Sequence, residues 1–89
     1  MGKNTEVIRA VRQALSTDGK AVKTGQEKLG DDFGYTDESI ILLLRRIYNY
    51  LKNDHPSYDF DFNSLDPGDC VAATVDAFGF MVALATKPA

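Results

Sequence analysis

Three stretches of the chain place their apolar residues at helical spacing. In the first, residues 5–16, Val7, Ile8, Val11, Ala14 and Leu15 share an arc of roughly 120° on a helical wheel. Arg9, Arg12, Gln13 and Ser16 lie opposite. That is the pattern of a helix with one face on a core and one in water. Asn4 or Thr5 can cap its start, and Asp18-Gly19 ends it.

The second stretch, residues 36–53, carries Ile40, Ile41, Leu43, Leu44, Ile47, Tyr48, Tyr50 and Leu51. Their arc spans roughly 180°, wider than the usual stripe of about 100°. Thr36 is an N-cap, Asp37 and Glu38 suit the positive end of the helix dipole, and Lys52 suits the negative end. Pro56 disfavours the α conformation at His55, so the helix stops there. Leu42 falls on the polar side, among Arg45, Arg46 and Asn49.

The third stretch, residues 66–85, opens on Asp66 as N-cap with Pro67 at the first helical position. Cys70, Val71, Val75, Phe78, Phe80, Met81, Val82 and Leu84 cover an arc of roughly 220°. A helix so broadly apolar is either central in its own domain or shared with another chain. Residues 79–86 fit a strand as well, because a short apolar run does not fix its own type. Between the second and third stretches, Tyr58, Phe60 and Phe62 alternate with polar neighbours, the period of an extended segment over 57–63. Residues 20–35 stay open: 20–29 can form a short fourth helix that Gly25 weakens, and Gly30 to Gly34 reads as loop. The expected fold is a single all-α domain over 1–89, a small bundle of three principal helices. The second and third helices, with the broadest apolar faces, are expected to be antiparallel neighbours.

Composition narrows the function classes. The chain has 89 residues, 44% of them apolar, and a net charge of −3. One cysteine cannot form an internal disulfide, so no oxidising compartment is required. The N-terminus lacks the apolar core of a signal peptide, and the most apolar run, residues 70–85, is short of the roughly 20 residues that span a bilayer and contains Asp76. The expected location is the cytoplasm, with no membrane contact. Charge is divided: residues 1–30 hold six Lys or Arg against three acids, whereas residues 31–76 hold three against ten.

Candidate chemistry is sparse. Asp59, Asp61 and Asn63 resemble the first three ligand positions of the calcium loop in the EF-hand family. Ser64 stands where that loop needs Gly, Asp66 where it needs an apolar residue, and Cys70 where it needs a bidentate Glu. A turn that feeds the third helix is the reading adopted. Gly68-Asp69-Cys70 before an apolar helix resembles the nucleophile segment of transglutaminase-like and papain-like cysteine enzymes. Those families place a His after the cysteine, and none of the 19 residues after Cys70 is His; His55 precedes it. Asn63-Ser64-Leu65-Asp66 resembles the segment that carries phosphopantetheine in acyl carrier proteins, but Asn replaces their Asp and too few residues follow for the rest of that fold. A zinc site would require partners for His55 at known spacing, and none is visible. No catalytic residue, metal or cofactor is therefore assigned, and the chain is read as a non-enzyme.

The expected function is a protein–protein interaction module: an adaptor, inhibitor or regulatory subunit whose partner is another protein, a second copy of the chain included. The apolar candidates for its interface are Leu42, Tyr48, Tyr50, Phe78, Phe80, Met81 and Leu84. Asp59, Asp61, Asp66 and Asp69 are candidates for an acidic face meeting a basic partner. The alternative is a nucleic-acid-associated regulator that uses Arg9, Arg12 and Lys20, a weaker reading for an acidic chain without a recognition motif.

Overall fold

In the computed structural model, residues 3–88 are described, with the side chains of all but Lys3, Phe62 and Pro88. The element order is α1 (Lys3–Thr17), α2 (Asp37–Asp54), β1 (Tyr58–Phe60), a 3₁₀ turn (Phe62–Ser64), α3 (Pro67–Ala72), α4 (Val75–Ala85) and β2 (Thr86–Pro88). The fold is predominantly α-helical, with one two-stranded sheet. Helix α1 packs against both α2 and α4, while α3 packs against α2. The expected pairing of the second and third helices thus occurs chiefly through α3. Val7, Val11 and Leu15 of α1, Ile40, Leu43 and Ile47 of α2, and Phe78 and Val82 of α4 meet in one core, which Leu29, Tyr35, Phe60 and Cys70 complete.

Local chemistry sets the boundaries. At the end of α1, the Lys20 N–H donates to Leu15 O and the Gly19 N–H to Ser16 O, both at 2.9 Å. Gly19 takes the left-handed conformation at φ 78° that this double closure requires. Thr36 caps α2 in a reciprocal arrangement with Ser39, each side chain accepting from the other's backbone N–H. Asp66 accepts from the Asp69 N–H at 3.1 Å and starts α3 with Pro67 behind it.

The third predicted helix is broken. Ala73 and Thr74 leave the helical conformation, and Thr74 caps a new helix by accepting from the Ala77 N–H at 3.2 Å. The cause lies in residues 20–35, which form a loop and no fourth helix. Leu29 N–H donates to Ala73 O and Gly30 N–H to Val71 O. In return, Val75 N–H donates to Glu27 O and Asp76 N–H to Gly25 O. The loop therefore satisfies backbone groups at both the end of α3 and the start of α4, where helices lack internal partners. A continuous helix would leave the loop's own donors unpaired.

The loop is tied internally by Glu27. Its carboxylate accepts from the backbone N–H groups of Lys23 (2.6 Å), Gly25 (2.8 Å) and Thr24 (3.2 Å). These bonds, Lys23's first, hold its carboxyl at about 2, below its ordinary 4.5. The folded-state value lies below the unfolded one. Its stabilisation is therefore complete above pH 4.5 and is lost as pH falls toward 2. Glu27→Gln should destabilise the protein at neutral pH, and its deficit against wild type should shrink across that window when unfolding is followed by circular dichroism.

The aromatic segment is extended only over β1. It pairs antiparallel with β2 in the register Tyr58↔Pro88, Asp59↔Lys87 and Phe60↔Thr86. Phe60 is buried and Tyr58 half-buried, as alternation requires; the side chain of Phe62 lies outside those described. The end of α4 stays helical to Ala85 and only the last residues become strand, which resolves the choice left open over 79–86. Thr86 is fully buried and donates its hydroxyl to Val82 O at 2.7 Å. No helix among the described residues is long and apolar enough to cross a membrane.

Candidate functional site

Two apolar patches remain on the surface after the core is filled. On α2, Leu42 is 66% exposed and Ile41 41%; on α4, Phe80 is 59% and Leu84 79% exposed. Phe80 and Leu84 are one turn apart and stand on one side of α4 with Ala77 and half-buried Met81. Leu65 joins the patches. It lines a hollow with Ile41, Leu44, Arg45, Asn63 and Pro67, and a second hollow with Ser64, Met81, Leu84 and Ala85. A third, smaller hollow of about 110 Å³ lies beside Phe80, between α1 and α4.

Of the seven apolar candidates, Leu42, Phe80 and Leu84 are exposed. Phe78 is a correction: it is fully buried and belongs to the core, because it lies on the same side of α4 as buried Val75, Val82 and Ala85. Tyr48, Tyr50 and Met81 are half-buried against the core. The Tyr50 hydroxyl is 2.9 Å from Thr17 Oγ1 and ties α2 to the end of α1, and Lys52 Nζ lies 5.8 Å from the centre of the Tyr48 ring. Ile41 and Leu65 were missed. Ile41 had a signal, since an arc of roughly 180° is too wide for one buried stripe and its edge must be exposed. Leu65 had none, because it lies in a turn without periodicity.

The acidic candidates are all exposed, and Asp61, Asp66 and Asp69 lie in the segment around Leu65. Asp61 Oδ1 accepts from the Asn63 N–H at 3.0 Å, and Ser64 Oγ donates to Asp61 O at 2.9 Å. Their stretch is the turn read from the sequence, with Asp61 folded back onto its own backbone. Among the described residues, no group of three or more His, Cys, Asp or Glu is placed to hold a metal ion.

Each basic candidate meets a partner within the chain. Arg9 lies 3.5 Å from Glu6, Arg12 3.6 Å from Asp76, and Lys20 Nζ 5.6 Å from the Tyr35 ring centre. Tyr35 donates its hydroxyl to Asp18 at 2.7 Å, and Asp18 also pairs with Arg46. Burial pushes Tyr35 up to about 12, so it stays a donor.

Cys70 is fully buried. Burial first, then the charges of Asp69 and Asp66, pushes its thiol up to about 11, the reverse of nucleophile activation. His55 Nε2 lies 2.9 Å from Glu6 Oε2 and its ring is 5.1 Å from that of Tyr58. Iodoacetamide should alkylate Cys70 at least about a hundredfold more slowly at pH 7 than free cysteine, whose pKa is near 8.5. Mass spectrometry of the modified chain reads this directly.

Comparison with known protein families, curated proteins and solved structures finds no match.

Proposed function

We propose that this chain is a non-catalytic protein-interaction module whose docking surface is the apolar tract on α2 and α4 joined at Leu65. One observation carries the reading: exposed Ile41 and Leu84 line two hollows that share Leu65, and exposed Phe80 stands one turn from Leu84. A scattered exposed leucine is ordinary. Large apolar side chains gathered around shared hollows are the usual mark of an interface.

Asp61, Asp66 and Asp69 beside Leu65 favour a partner that brings basic groups to the rim of its apolar surface. Titration with a synthetic amphipathic Leu/Lys helix, followed by amide chemical shifts, tests the reading. Shifts should concentrate at Ile41, Leu65, Phe80, Met81, Leu84 and the neighbouring aspartates, and binding should weaken with salt. Shifts elsewhere, or none, would count against it.

A further inference from the structure

We infer that the α2 half of the tract takes an apolar side chain of a partner protein with a carboxylate beside it, the carboxylate going to Arg45. The inference rests on the reading of the tract as a docking surface and names the chemistry that its partner brings there.

The hollow on that side holds about 410 Å³ and is walled by Ile41, Leu44, Leu65 and Pro67, with Arg45 and Asn63 as its polar residues. A mostly apolar hollow with a few polar groups suits one large apolar side chain and a small number of directed contacts. Among the described residues that line it, Arg45 alone carries a charge. The acids nearby are turned onto their own backbone. Asp61 accepts from the Asn63 N–H and Asp66 from the Asp69 N–H, and neither lines the hollow.

Arg45 also differs from the other arginines. Arg9 meets Glu6, Arg12 meets Asp76 and Arg46 meets Asp18. Arg45 is exposed and meets no carboxylate among the described residues. An apolar group that fills the hollow strips water from this guanidinium, and a cation desolvated without a partner costs energy. The occupant must therefore return an acceptor. A carboxylate fits best, because the planar fork of arginine receives both of its oxygens together. With Asp61, Asp66 and Asp69 outside the hollow, the matching partner is acidic at its centre and basic at its rim. That order of charge fixes register and discriminates against a partner that is basic throughout.

Three versions of the Leu/Lys helix test the inference by fluorescence anisotropy: the parent, and two in which one lysine beside the central leucine is replaced by Glu or by Gln. The Glu helix should bind wild type about threefold more tightly than the Gln helix, within the range of an exposed ion pair. In Arg45→Gln that preference should vanish, and the parent helix should bind more tightly than it does to wild type, since its lysine no longer faces a guanidinium. Arg45→Gln should keep the wild-type unfolding midpoint, as an exposed side chain without a carboxylate partner does. A Glu helix no better than the Gln helix, a preference that survives Arg45→Gln, or an Arg45→Gln chain that unfolds would each overturn the inference. Parent-helix binding at Ile41 and Leu65 would then leave the docking reading standing. If none of the three helices binds, both readings fall.

Discussion

Phe78→Ala is expected to unfold a large part of the population at 37 °C. Phe78 is the largest fully buried side chain among the described residues and belongs to the core that α1, α2 and α4 share. Truncating a buried Phe costs about 3–5 kcal/mol, through lost transfer free energy and the cavity left behind. A domain of this size holds only about 5–15 kcal/mol in total. Each kcal/mol moves its melting temperature by about 4–8 °C, so the variant should melt at least about 12 °C lower. Calorimetry of the two proteins side by side measures it. A shift of only a few degrees would mean that Phe78 is not held in the core.

Gly25→Ala should be the most damaging change in the loop. Gly25 has φ 87°, a conformation that costs other residues about 1–3 kcal/mol. An added Cβ would also lie 2.4 Å from Asp76 Oδ1, which forces the carboxylate to move. That displacement disturbs the ion pair of Asp76 with Arg12 and the capping of α4 by Gly25 O. Two causes therefore act, and a double-mutant cycle separates them. In an Asp76→Ala background the collision disappears and only the backbone cost remains. Gly25→Ala should be less costly there than in the wild type by urea unfolding. Equal costs in both backgrounds would show that the contact with Asp76 is unimportant.

Gly25 also shows where sequence reasoning stops. In the sequence it is a weakness in a short helix; in the structure it is a left-handed hinge whose carbonyl caps another helix 50 residues away. The helices that were legible, α1 and α2, carry their instructions locally: an apolar period of 3.6, Thr36 and Ser39 at one end, Asp18-Gly19 or His55-Pro56 at the other. Asp66-Pro67 fixed the start of α3 in the same way. The break at Ala73 and Thr74 depends on long-range bonds to Glu27 and Leu29, which no local window contains. Its one local trace is Thr74 two residues before Asp76, a second cap signal inside an apolar run. The surface tract was half legible. Leu42 stood out against a polar face, and Phe80 and Leu84 exceeded any single buried stripe. Leu65 became part of the tract only when the turn at Asp61 and Asn63 folded it between α2 and α4.

A joint replacement of Leu42, Phe80 and Leu84 by Gln, compared with wild type for both unfolding midpoint and association, is the most direct measurement. If these side chains serve partners and not the core, the midpoint should stay within the change of about 0.5 kcal/mol per site typical of surface substitutions, while Leu/Lys helix binding is lost. A variant that fails to fold would assign the three to the chain's own stability, and one that binds as before would remove them from any docking surface; either contradicts the reading.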